Sequence, residues 1–113
     1  MPYSIHSEPD PHGPLIVLAG DADLTAAADL DEMVIGAVAN AERLVTVDLS
    51  DATLIDSRTI AVLVEWTEKL SSTGGKLQII CADPNILRLL ARIGLDRTLN
   101  VVASREEAAP DGT

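Results

Sequence analysis

The side chains best suited to chemistry are few and scattered. His6 and His12 are the two histidines, Cys81 is the single thiol, and Asp21, Asp23, Asp48, Asp51 and Asp56 recur near predicted strand ends. A catalytic triad needs a histidine beside its nucleophile, and both histidines belong to an N-terminal strand and a proline-rich loop, far in sequence from any serine or cysteine suited to that role. There is no His-x-x-x-His and no second thiol to hold zinc, so Cys81 reads as a small buried hydrophobe. Gly74-Gly75 lacks the Lys-Ser/Thr of a phosphate loop and precedes a strand, which makes it a helix stop and not a nucleotide cradle. The aspartates admit two readings. Open α/β sheets place functional groups at strand ends, which would suit a metal, whereas aspartate is also a preferred helix cap and loop solvator. Asp48 also suggests a phospho-accepting aspartate with Asp21 and Asp23 as its acidic pair, but the segment from Leu99 to Ser104 contains no lysine to hold a phosphoryl group. No catalytic, cofactor or metal residue is therefore assigned, and capping is the favoured role of the cluster.

These residues must be positioned by one domain. The 113 residues, 47% of them hydrophobic, are enough for a core without metal or disulfide staples, and one cysteine cannot form an internal disulfide, which suits a reducing compartment. Eighteen acidic against 8 basic side chains give a formal charge of -10, which repels phosphate backbones and anionic lipid. Tyr3 and Trp66 are too few aromatics for base stacking, so neither nucleic acid nor membrane is expected as a partner, and a protein is. No basic-then-apolar leader is visible at Met1 to His6, and the runs Leu15 to Ala19 and Ile60 to Val64 fall far short of the roughly 20 residues that span a bilayer. A cytoplasmic location is the expectation.

Tyr3 to Ser7 alternates like a strand, and Glu8 to Pro14 supplies three prolines and a glycine for a loop. Leu15-Ile-Val-Leu-Ala19, Leu44 to Leu49 and Leu77 to Cys81 are apolar runs of the kind buried on both faces of a sheet, and Leu99 to Val102 is a last strand. Ala27, Leu30, Val34, Ala37 and Val38 recur at helical spacing between Leu24 and Ala39, with Asp23 or Thr25 as cap and Asn40 as stop. A second helix runs from Ser57 to about Ser72 on the stripe Ile60, Leu63, Val64, Thr67 and Leu70. A third follows Asp83-Pro84 with Ile86, Leu89, Leu90 and Ile93, and stops at Gly94. Ser104-x-x-Glu107 reads as a capping box opening a stub helix, after which Pro110 to Thr113 should fray. The order predicts a single α/β domain over residues 1–105, with a mixed sheet of four to five strands, three to four helices, and a short stub or tail over 106–113.

The most informative segment is Val45-Thr-Val-Asp-Leu-Ser-Asp-Ala-Thr-Leu-Ile-Asp-Ser-Arg-Thr-Ile60. A branched strand ending in Asp-Leu-Ser, a short loop with apolar Ile55, and Asp56-Ser57 opening a helix resemble the central signature of the STAS domain family, and within it the bacterial anti-sigma factor antagonists. Gly20-Asp-Ala-Asp-Leu24 before an alanine-rich helix resembles the family's earlier motif, and Leu90-x-x-Ile-Gly-Leu-Asp96 its third-helix ending. The resemblance runs from about Leu15 to Val102. It implies a non-enzymatic regulator that binds an anti-sigma factor with serine kinase activity, releases a sigma factor, and is switched by phosphorylation at the matching position, Ser57. Where the family shows Asp-Ser-Ser/Thr-Gly-Leu, this chain reads Asp56-Ser57-Arg58-Thr59-Ile60, without the glycine that lets a partner approach the backbone closely.

Read from its residues alone, Ser57 is also a natural helix N-cap, and both roles are compatible. Arg58, Val62, Trp66 and Lys69 form a helical strip turned away from the apolar stripe, which leaves Val62 and Trp66 where solvent is expected. Two readings of the strip stay open: a docking face beside Ser57, or a Trp66 ring folded over the helix edge onto the core. The candidate partner surface is accordingly Ile55, Asp56, Ser57, Arg58, Val62 and Trp66, with Ile55 and Asp56 shaping the loop. Two alternatives accompany this reading. One is an unphosphorylated STAS adaptor subunit of a transport or stress-signalling complex, and the other a metal-binding protein or small enzyme built on the aspartates. A homodimer is compatible with either regulator reading.

Overall fold

The computed structural model describes residues 2–108. Its order is β1 (Tyr3–Glu8), β2 (Leu15–Ala22), α1 (Leu24–Ala39), β3 (Leu44–Asp48), β4 (Ala52–Ile55), α2 (Ser57–Ser72), β5 (Lys76–Ile80), α3 (Pro84–Arg92) and β6 (Asn100–Val102). The strands lie in the order β1-β2-β3-β5-β6; β1 is antiparallel to β2 and the remaining pairs are parallel. Parallel neighbours need crossovers, and α1, α2 and α3 supply them. This is the expected α/β domain with a mixed sheet.

Strand alternation sorts the sheet residues onto two faces. Ile16, Leu18, Val45, Val47, Leu77 and Ile79 join Leu30 and Val34 of α1, Ile60, Leu63 and Leu70 of α2, and Ile86 and Leu90 of α3 in one core. Leu15, Val17 and Ile80 point the other way and form a small second cluster with Val102 and Ala108. Val38 and Ile93, expected in the helix stripes, are exposed because each lies in or just past the last turn of its helix, beyond the reach of the sheet.

The sheet has six strands, not four to five, because Ala52–Ile55 is a strand where a loop was expected. β3 pairs with Leu15–Val17 of β2, the chain turns at Leu49 to Asp51, and β4 resumes beside Gly20–Ala22 after a register shift between Gly20 and Asp21. Four residues flanked by Ser50, Asp51 and Asp56 carry little strand signal of their own. The ladder to β2 makes them a strand.

The helix stops follow local chemistry. Asp23 accepts from the amides of Thr25 and Ala26 at 3.0 and 3.1 Å, and Asp83 from Asn85 at 2.8 Å with Pro84 following it. After α2, Gly74 has φ of +83°, and a Cβ on Gly75 would meet the Arg43 carbonyl oxygen at 2.6 Å. Both glycines are required there, one for its conformation and one for the close approach. The expected stub helix is a turn. The amides of Glu107 and Ala108 donate to the Ser104 carbonyl at 3.1 Å, and the Glu107 carboxylate accepts from Ala103 at 3.2 Å. The expected fraying of Pro110 to Thr113 lies outside the described residues.

This turn is tied to the end of β3. Arg105 Nε donates to Asp48 Oδ2 at 2.9 Å, and Asp48 Oδ1 accepts from the Ser50 amide at 2.8 Å. Burial alone would raise the Asp48 pKa, but the Ser50 bonds and the Arg105 guanidinium outweigh it and hold the carboxyl below its ordinary range. A group depressed in the folded state stabilises fully above its unfolded pKa, near 3.9, and that stabilisation is lost as pH falls through the folded value. Asp48→Asn should therefore be less stable than the parent at neutral pH and lose less stability on acidification. Urea midpoints across the acid range check this, and parallel acid limbs would contradict it.

Candidate functional site

The loop that ends β4 is pinned before the helix begins. The Asp56 amide donates to the Ala22 carbonyl at 3.1 Å, and the Asp56 carboxylate accepts from the amide and hydroxyl of Thr59 at 2.9 and 3.0 Å. Asp56 is therefore the N-cap of α2, with the extended backbone a cap requires. This corrects the expectation that Ser57 caps the helix: Ser57 is the first helical residue, exposed, and its hydroxyl is relieved of capping. Thr59, the neighbouring hydroxyl, is fully buried. Ser50 and Thr53 are exposed, but the Thr53 hydroxyl donates to the Asp21 carboxylate, which lowers the Asp21 pKa.

Two residues assigned to the partner surface are not on it. Ile55 is 3% exposed and belongs to the core, because side chains alternate along β4; its neighbour Leu54 points outward and is 57% exposed. Trp66 is 9% exposed, and its Nε1 donates to Asp31 Oδ1 at 2.7 Å. The strip of α2 that periodicity assigns to solvent is in part the seam against α1, so of the two readings the ring takes the buried one. Lys69 Nζ lies 4.8 Å from the ring centroid and shields its outer face.

Arg58 and Val62 do remain accessible. They line an α1–α2 groove of about 300 Å³ together with Leu24, Ala27, Ala28, Asp31, Ala61 and Glu65. The groove exists because alanines face each other where larger side chains would fill the seam. Leu24, at its edge, is 56% exposed. Leu24 and Leu54 were missed by sequence reasoning. The signal for Leu54 was the two-residue period of β4; for Leu24 it was its place one residue after the cap, before the helix has turned its apolar face inward.

The electrostatics of this end follow from its loops. The first turn of α2 has no acidic residue and carries Arg58, a cation at the positive end of a helix, where a phosphate or carboxylate is the favoured charge. Among the described residues, no three His, Cys, Asp or Glu side chains converge as a metal site would require. A separate cavity of about 220 Å³ lies on the other face of the sheet, lined by Thr46, Gln78, Ile80, His12 and Arg105. The Ser57 end, with its exposed hydroxyl at a helix start, carries the functional argument. No helix among the described residues is long and apolar enough to cross a membrane.

Comparison with known proteins places the fold. The chain superposes on a crystal structure of an anti-sigma factor antagonist from Mycobacterium paratuberculosis with a TM-score of 0.84 and 20% identity, over 94% of this chain and 90% of that one. It superposes on the Bacillus cell fate determinant SpoIIAA in its phosphorylated form with a TM-score of 0.72 and 14% identity, over 91% and 95% of the two chains. For unphosphorylated SpoIIAA the values are 0.73 and 15%, over 92% of each chain. At these identities the likeness is one of fold. A search of curated proteins found no match. The family described as Mlab, STAS domain matches residues 5–103, which take in most of β1 and every later strand and helix described, and the chain belongs to that family.

Proposed function

We propose that this chain is an anti-sigma factor antagonist, a regulator without chemistry of its own, that binds a kinase-type anti-sigma factor in the bacterial cytoplasm and is switched by phosphorylation of Ser57. The observation that carries the reading is the division of labour at the start of α2: Asp56 caps the helix, and Ser57 is left exposed. A phosphate on Ser57 would add about two negative charges at the positive end of a helix, so modification should act on binding and leave the fold intact. The fold shared with SpoIIAA, known in phosphorylated and unphosphorylated forms, supports the reading.

The test is phosphorylation by the anti-sigma kinase captured from the organism's own lysate, read by mass spectrometry with ATP present. One phosphate on the parent and none on Ser57→Ala is expected. A phosphate that persists on the alanine variant would move the site to Ser50 or Thr53, since Thr59 is buried. Ser57→Asp should change stability by no more than about 1 kcal/mol, because Asp56 keeps the cap and the dipole favours the new carboxylate, while affinity for the captured kinase falls. A melting-temperature drop with unchanged affinity would contradict the switch.

A second reading is favoured by Arg58, which stands directly after Ser57 where antagonists usually carry a small residue. In it the chain is a STAS adaptor subunit that uses the same surface, alone or as a homodimer, with Ser57 unmodified. Absence of phosphate from both the parent and the alanine variant would select it.

A further inference from the structure

Leu54 and Leu24 are the most exposed large hydrophobic residues among those described, and both belong to the end of the domain that carries Ser57. Leu54 stands opposite Asp21 in the β2–β4 register, three residues before Ser57. Leu24 opens α1 and shares the α1–α2 groove with Arg58 and Val62. The core makes no use of either leucine, and alanines at 27, 28 and 61 keep the groove from closing. Exposed leucines beside an open groove are what an interface anchor needs.

The charges around them restrict what can dock. Asp23 follows β2, Asp51 and Asp56 flank β4, and Asp31 and Glu65 line the groove; against these five acids stand, among the described residues of this end, Arg58 and Lys69, the latter paired with Glu65 at 3.2 Å. With a chain charge of -10 behind it, this rim attracts cationic segments and repels acidic ones before contact. We propose that this end of the domain docks a cationic amphipathic segment of its protein partner, whose large apolar side chains seat on Leu24 and Leu54 and in the α1–α2 groove while its lysines or arginines face Asp23, Asp51 and Glu65. The inference rests on the reading of this end as the partner surface and adds the partner's chemistry to it.

The probes are two synthetic helical peptides of one leucine pattern, one with lysine and one with glutamate on the polar face, titrated into the 15N-labelled full chain. The lysine peptide should shift amides within residues 21–28 and 51–65 and leave the other acidic segments, such as Glu106-Glu107, unmoved. The glutamate peptide should bind at least about tenfold more weakly, and Leu24→Ser with Leu54→Ser should weaken the lysine peptide by about tenfold with little change in melting temperature, the loss expected on removing anchors. Asp51→Asn with Glu65→Gln is the second variant and should flatten the salt dependence of binding. Equal binding of the two peptides, shifts spread over the whole acidic surface, or undiminished binding by the leucine variant would each overturn the proposal. Kinase phosphorylation of Ser57 is read separately. If it persists while the peptide fails, the docking chemistry falls and the antagonist reading stands; if the peptide binds as expected and phosphorylation is absent, only the antagonist reading falls.

Discussion

Trp66→Ala should destabilise the domain by about 3 to 5 kcal/mol, the cost of emptying a buried aromatic site in a seam that cannot collapse around it. The ring is held on three sides: by the core residues of α2 and α1, by the Asp31 carboxylate on its indole nitrogen, and by Lys69 over its face. Removing it takes away the indole donor as well, so Asp31 must find water in its place. Urea unfolding monitored by circular dichroism measures the loss. In the parent chain, the same burial requires blue emission and weak quenching by iodide. Emission already red-shifted and fully quenchable in the folded chain would return Trp66 to the surface. Trp66→Phe separates the two contributions, since it keeps most of the packing and loses the bond to Asp31; it should cost less than the alanine variant by about 1 kcal/mol or more.

Gly20→Ala is expected to cost about 2 to 4 kcal/mol, far more than a typical surface substitution. Gly20 has φ of +82°, and a Cβ there would meet the Pro2 carbonyl oxygen at 2.4 Å and Tyr3 Cα at 3.0 Å. Both neighbours are backbone, so the clash can be relieved only by moving β1. The position also sits at the register shift where β2 passes from β3 to β4 and donates its amide to the Asp51 carbonyl at 3.0 Å. Thermal melts of Gly20→Ala and Gly36→Ala make a controlled pair, because Gly36 lies within α1 with nothing near its would-be Cβ. Gly36→Ala should raise stability through helix propensity. If the two variants melt alike, the close approach at Gly20 does not constrain the fold.

What was legible in the sequence was what neighbouring residues decide among themselves. The bounds of α1 follow from alanine-rich periodicity between Asp23 and Asn40, and Asp83-Pro84 announces α3 by the chemistry of its first turn. What was not legible depended on contacts distant in the chain. β4 becomes a strand only because β2, some thirty residues earlier, offers it an edge. Trp66 lies on the polar side of its own helix and is buried because α1 arrives there, with Asp31 to receive its indole N–H. The site shows both cases at once. Ser57 was singled out by its motif, but the exchange of capping duty to Asp56 depends on backbone dihedrals that both residue types satisfy. Inward Ile55 and outward Leu54 exchange places as soon as the segment is a strand and not a loop.

The short strand before Ser57 has a consequence for local opening. Among the described residues β4 is paired only with β2, whereas β3 is held by β2 on one side and β5 on the other. A four-residue ladder with one neighbour separates at a fraction of the free energy needed to unfold the whole domain, and such segments exchange their amide protons by sub-global opening. The chain thus carries its exposed serine two residues past a short strand held by one neighbour, while the helix that follows stays clamped by Asp56 and the buried Thr59. An enzyme that must draw a serine and its flanking backbone into an extended binding cleft would meet, upstream of Ser57, a segment able to yield without dismantling the core, and downstream of it a rigid stop.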